Sequence, residues 1–235
     1  MQLTFASYNI HKGVGLDRRR DPERIVAVLR ELDADVIALQ ECDMRFGTRE
    51  SVLPRALLED HTPWRHAPVA QRAASLGWHG NALLVRRGMA VTHAARLKLP
   101  TLEPRGAVLV DLDIDGTALC VVGMHLDLSG LHRRRQAHAI TTALAHRDPC
   151  PIIVMGDTNE WRPHAGCLID FAHKFSIAPT GPSFHSRRPI GRLDRIMVDH
   201  TTRIIACSVH HSVLASKASD HLPVWADVEL ARNTG

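Results

Sequence analysis

The stretch IIVMGDTN, residues 152–159, runs four apolar residues into a glycine, a carboxylate and an amide. Ile152–Met155 reads as a strand, and Asp157 and Asn159 follow at its carboxyl end, where α/β proteins collect site residues. The two are two positions apart, so an extended segment points both side chains to one side, where one activates a water and the other orients it. A solitary Asp or Asn at a strand end is more often a cap or turn residue. What decides is recurrence: Ser7-Tyr8-Asn9, Leu39-Gln40-Glu41, Met124-His125-Leu126-Asp127 and Ser219-Asp220-His221-Leu222-Pro223 repeat the arrangement of polar groups beside apolar runs. Polar groups are costly to bury alone, so five such ends imply one shared polar pocket.

Working outward, Leu3–Ile10 is a strand, and Asp21-Pro22-Glu23 supplies an N-cap, a first-turn proline and an early acid for a helix carrying Ile25, Val26, Leu29 and Leu32. Val36–Gln40 is a buried strand that delivers Glu41 at its end. Ala82–Val85, Ala90–Leu97, Ala107–Ile114 and Ala118–Met124 are further strands, with Asp115-Gly116 turning the last hairpin. Ser129 caps a helix to about His146, with Ala137, Ile140 and Leu144 on one face and the run Arg133–Arg135 facing water. Leu193–Val198, Ile204–Val209 and Val224–Leu230 complete the strands. No linker or shift of composition divides residues 1–235, so the expectation is one α/β domain with two sheets packed face to face and helices outside.

Of the 235 residues, 45% are hydrophobic and 23% charged, an ordinary globular balance that excludes a disordered chain. The formal net charge is +4, mostly from arginine, which permits a phosphate-bearing partner without requiring one. The five cysteines form no C-x-x-C pair and read as reduced thiols. No signal-peptide pattern and no apolar run long enough for a span is present, which places the protein in the cytoplasm, as a monomer.

The ordered motifs SYNIHKG, LQE, HGNALL, GDTN, LDRI and SDHLPV resemble those of the endonuclease/exonuclease/phosphatase superfamily (the DNase I-like proteins), of which this chain looks like a short, bacterial-type member. The resemblance implies a four-layer α/β/β/α sandwich of two mainly antiparallel sheets, with the site between their tops. It implies a divalent-metal-dependent phosphoesterase; oxygen-rich donors without thiolates point independently to Mg²⁺ or Mn²⁺. By resemblance, Asn9 and Glu41 hold the metal with Asp220 near it, Asp157 is the base-like residue beside Asn159, His221 reaches the scissile phosphate, and Asp194 orients its ring. His125 is the second histidine, and a Glu103–His125 pair is expected beside the Asp194–His221 pair. Asn81 of HGNALL and Arg105 are supporting residues, Arg105 touching a phosphate oxygen or the pocket rim.

The early D-x-H of calcineurin-like phosphatases and the H-x-H-x-D-H of zinc hydrolases are missing. A non-catalytic binding module would have lost one of Glu41, Asp157, Asn159 or His221, and all four are present. Substrate candidates are a small phosphodiester, a phospholipid head group and nucleic acid. The chain has little room for the long DNA-gripping loops or membrane-inserting hairpin of some relatives, which favours a compact phosphodiesterase over an endo- or exonuclease.

Overall fold

Alternation along each strand decides which side chains meet the opposite sheet. The computed structural model describes residues 1–230. The chain begins the first sheet with β1 (Gln2–Asn9), β2 (Val36–Gln40), β3 (Trp64–His66) and β4 (Ala82–Arg86). It then lays down the second as β5 (Ala90–Leu97), β6 (Gly106–Ile114), β7 (Thr117–His125), β8 (Ile152–Asp157), β9 (Phe175–Ile177) and β10 (Asp194–Asp199). Finally β11 (Arg203–Val209) and β12 (Val224–Glu229) return to the first. The orders are β11-β12-β1-β2-β4-β3 and β5-β6-β7-β8-β10-β9. Each sheet has one parallel pair, β1 with β2 and β7 with β8, among antiparallel neighbours.

Phe5, Ala38, Leu83, Val121, Ile153, Met155, Ile196 and Val224 fill the layer between the sheets. Outside the first sheet lie α1 (Pro22–Leu32), α2 (Arg55–His61) and α5 (Ala215–Ala218), whose apolar faces cover Ala6, Tyr8, Ile37 and Leu84. Outside the second lie α3 (Gly130–Ala145) and α4 (Cys167–Ala172), over Val122, Met124, Val154 and Met197. These are the four layers of an α/β/β/α sandwich. Asp21 caps α1 through its side chain, accepting from Arg24 N–H at 2.9 Å.

The same parity places the polar strand ends. Asn9 shares the inward face of Phe5, His125 that of Val121, Asp157 that of Ile153 and Met155, and Asp194 that of Ile196. Register then sets His125, Asp157 and Asp194 directly side by side on β7, β8 and β10. Gly156 cannot carry a side chain, since at φ +151° a Cβ would stand 1.9 Å from Met124 O.

Three expectations need correction. Ser129 starts α3 without a side-chain cap; its N–H instead donates to Asp127 Oδ1 at 3.0 Å. The run Arg133–Arg135 does not face water as a unit, because Arg133 falls four, seven and eleven residues before Ala137, Ile140 and Leu144 and so belongs to their buried stripe. Its guanidinium bonds Glu160 Oε2 at 3.0 Å and Leu128 O at 2.6 Å. The sequence places Trp64, Trp78 and Trp161 in the core or the pocket wall; Trp64 is core and donates to Ala34 O at 2.7 Å, whereas Trp161 is 54% exposed. Arg133→Met leaves the buried Glu160 carboxyl without its cationic partner, and should cost about 3 kcal/mol or more in urea unfolding. The double variant with Glu160→Leu is expected to regain most of that loss, and equal stability of single variant and parent would refute the pairing.

Candidate functional site

Asp157 lies at the centre of the inter-sheet polar group and is almost fully buried. Its Oδ2 accepts from Asn9 Nδ2 at 3.0 Å and faces His125 Nε2 at 3.3 Å and His221 Nε2 at 3.8 Å. Its Oδ1 accepts from Asn159 N–H at 2.8 Å. Burial alone would raise its pKa, but the bond to His125 and the charge of His221 outweigh this and hold the carboxyl well below the usual range. His221 is the reciprocal case: burial would lower its ring, yet the charge and hydrogen bond of Asp194, with Asp157 beyond, push it up to about 10. The bond from His221 Nδ1 to Asp194 Oδ2 is 2.8 Å, and Ser183 donates to the same oxygen.

Asn159 is not extended. At φ +49° it folds back on Asp157, and its Nδ2 donates to Leu126 O at 2.9 Å, so the two side chains are neighbours through a tight turn rather than through strand parity. His11, Lys12, Glu41 and His79 also sit at positive φ without being glycine. Strain of this kind persists only where surrounding contacts over-determine it, and it concentrates at ligand sites.

Glu41 opens into a cleft lined also by Lys12, Arg45, Arg49, His79, Glu103, Arg105 and His125. The Lys12 ammonium lies against Glu41 Oε2. Burial would raise the Glu41 pKa, but the charge of His125 and the hydrogen bond from Lys12 hold it below its usual value. Asp220 Oδ1 stands 3.8 Å from His11 Nδ1, and Asn9 Oδ1 accepts from His11 N–H at 3.1 Å. The turn at His11–Gly13 thus links Asn9, Glu41 and Asp220.

The pair expected between Glu103 and His125 is replaced by a relay. Glu103 Oε2 accepts from Arg105 Nε at 3.2 Å and pairs with Arg45 Nη2 at 3.1 Å, while Arg105 Nη1 touches His125 Nε2. Arg105 is two residues from Glu103 and its longer side chain reaches the ring first. Asn81 is buried away from the cleft, its amide donating to Trp78 O at 3.3 Å across a turn. Lys12, Arg45 and Arg49 carried no expectation, although Lys12 lies inside SYNIHKG and was legible there; the two arginines follow no periodicity.

The ligand atoms of Asp157, Asp194 and His221 lie within 4.8 Å of one another. The three are already engaged with one another and their neighbours, His221 Nδ1 on Asp194 at 2.8 Å and Asp157 on Asn9 and facing both imidazoles. The group is therefore better suited to holding protons and substrate charge than to holding metal. The Glu41 side of the cleft is the better cation position: Glu41 presents a carboxylate there, no thiol lines it, and an ammonium already lies against that carboxylate.

The endonuclease/exonuclease/phosphatase family model matches residues 6–221. The chain is 27% identical to the uncharacterized protein YbhP of Escherichia coli K12, over 94% of each chain. A family structure from Bacteroides thetaiotaomicron superposes with TM-score 0.76 at 18% identity, covering 99% of both chains. The mannosyl-6-phosphatase of the same bacterium superposes with TM-score 0.73 at 18% identity, over 97% of this chain and 100% of that one. Those two likenesses carry the fold, and with the match along nearly the whole sequence they leave one assignment: the chain belongs to the endonuclease/exonuclease/phosphatase family, whose members generally hydrolyse phosphate esters and typically depend on a divalent metal.

Proposed function

We propose that the chain is a divalent-metal-dependent phosphodiesterase working by in-line attack of an activated water. The observation that carries this is the buried Asp157 carboxylate, which meets Asn9 and two imidazoles one contact behind the cleft of Glu41 and Arg105. Glu41, Asn9 and Asp220 are the residues to hold Mg²⁺ or Mn²⁺, which when bound neutralises phosphate charge and polarises a phosphate oxygen.

The chain's own residues do the rest. Asp157, ionised at every working pH, accepts a hydrogen bond from the water and aims it, and Asn159 keeps its side-chain oxygen for the same water because its Nδ2 is spent on Leu126 O. His221, charged and fixed by Asp194, donates to the phosphate oxygen on which charge develops. His125 assists the leaving oxygen. Its Nε2 faces Asp157 and the Arg105 guanidinium, so a leaving oxygen seated there lies within reach of both the ring and the arginine. The mannosyl-6-phosphatase neighbour shows by its name that the fold also serves monoesters.

A panel with Mn²⁺ containing a small phosphodiester, the matching monoester, a glycerophospholipid and single-stranded DNA tests the assignment. The small diester and the glycerophospholipid, itself a diester, are expected to give the highest kcat/KM, the small diester with a shallow dependence on salt. Turnover of DNA alone, falling steeply with salt because each phosphate contact releases counterions, would make the protein a nuclease instead. No turnover of any of the four would support a binding module.

A further inference from the structure

Exposed large hydrophobic side chains are not scattered over this molecule. Of nine among the described residues, seven lie on loops or a helix start at the same end of the sheets as Asp157; only Ile169 in α4 and Ile205 in β11 lie elsewhere. Phe46 is 82% exposed, Ile190 75% and Leu102 70%. Single exposed apolar residues need no explanation, whereas a collected set at the mouth of a site does.

Contacts join the segments that carry six of the seven, all but Val213, into one arc. Arg45 pairs with Glu103 at 3.1 Å, drawing the loop of Phe46 against that of Leu102. Leu102 N–H donates to Asp127 Oδ2 at 3.0 Å, which ties it to the segment of Leu128 and Leu131. Arg133 bonds both Leu128 O and Glu160, which ties that segment to Trp161. Trp161 lies over Gly191, where a Cβ would meet its ring at 3.0 Å, and Ile190 adjoins it. The Trp161 ring also stands edge-on to Phe184 at 5.7 Å, and Phe184 lies tilted against His221 at 4.8 Å, so the arc runs back to the polar centre.

Cations interleave with these tips. Arg162 follows Trp161, Arg187 and Arg188 precede Ile190, all three exposed, and Arg45, Arg49 and Arg105 line the cleft. The acids there are engaged: Glu41 by Lys12, Asp43 by the N–H groups of Leu76 and Gly77, and Glu103 by Arg45 and Arg105. Two of the tips, Phe46 and Trp161, are aromatic and offer a base a face to stack upon, but Leu102, Leu128, Leu131 and Ile190 outnumber them and offer none, and a strongly hydrated acidic partner would leave all six in water. Apolar tips level with guanidinium groups match the boundary of an anionic bilayer, whose head-group phosphates lie just above its acyl chains.

We propose that this arc docks the protein on an anionic phospholipid surface, and that the substrate of the site is a head-group phosphodiester presented there. The second clause rests on the phosphodiesterase assignment; the docking does not. Full-length protein is sedimented with phosphatidylcholine vesicles and with vesicles containing roughly one third phosphatidylglycerol. Binding is expected on the anionic vesicles, with a blue shift of tryptophan emission that disappears in Trp161→Phe. Phe46→Ser with Leu102→Ser should weaken partitioning at least tenfold, and Arg187→Gln with Arg188→Gln severalfold, while hydrolysis of a soluble small diester stays unchanged in both. Absence of binding to anionic vesicles, or binding indifferent to the serine pair, overturns the docking even if the soluble diester is hydrolysed. Binding to single-stranded DNA that the serine pair weakens in place of vesicle binding overturns it too. Vesicle binding without turnover of any diester leaves the docking standing and removes the phosphodiesterase assignment.

Discussion

Asp157→Asn is expected to lower kcat by about 10³-fold with little change in KM or in the urea midpoint. The amide fills the volume of the carboxylate, so the inter-sheet packing of Ile153 and Met155 survives. What is lost is charge at the meeting point of Asn9 Nδ2, His125 Nε2 and His221 Nε2, which no orientation of an amide restores. The variant also removes one of the carboxylates that hold His221 charged, so the imidazole pKa, read by NMR in metal-free protein, should fall from about 10 toward its usual value. Asp194→Asn should lower it further, because Asp194 is the stronger of the two influences.

The sign of the accompanying stability change follows. The raised His221 contributes fully below the ordinary imidazole value of about 6.5 and loses its contribution as pH rises through about 10. The depressed Asp157 contributes above the ordinary carboxylate value of about 4 and loses its contribution only in strong acid. Both are complete between those values, so the stability gap between parent and Asp194→Asn should be flat near pH 5 to 6 and close toward pH 10. Retention of more than about a tenth of kcat in Asp157→Asn would remove the residue from the reaction.

Much of this architecture was legible because the inter-sheet layer imposes a period of two. Asn9, Asp157 and Asp194 each continue the inward parity of an apolar strand, so their meeting could be read from strand ends and motif order together. Arg133 was legible and missed, since its spacing to Ala137, Ile140 and Leu144 outweighs its membership of a charged run. Other features had no local signal. Trp64–His66 and Phe175–Ile177 are three-residue edge strands whose existence depends on neighbours distant in sequence. The Arg45–Glu103–Arg105–His125 relay joins the loop after β2 to the ends of β6 and β7, and only the packing of the two sheets brings those ends together. The left-handed turn at Asn159 was hidden for a related reason: an Asp-x-Asn spacing is compatible with extended chain and with an Asx turn, and the bond from Asn159 N–H to Asp157 selects the turn.

Glu41→Gln is expected to weaken Mn²⁺ binding about 10²-fold and to lower turnover at sub-saturating metal at least as far, and EDTA should abolish turnover of the parent. Glu41 supplies the carboxylate that faces the cleft, and a hard cation held by one or two carboxylates loses most of its electrostatic attraction when the charged ligand becomes an amide. Lys12 sharpens the test. Its ammonium neutralises Glu41 in the absence of metal and must leave when a divalent ion arrives, so the two cations compete for one carboxylate. Lys12→Met removes the competitor and should tighten Mn²⁺ binding severalfold in calorimetry without substrate, opposite in sign to Glu41→Gln. A protein that merely tolerated a buried acid at this position would show the same calorimetric trace for parent and both variants. Full activity in EDTA with no bound metal would sink the assignment of the cleft, whereas opposed shifts from the two substitutions would locate the ion at Glu41 independently of any turnover, because both are read as binding to the substrate-free protein.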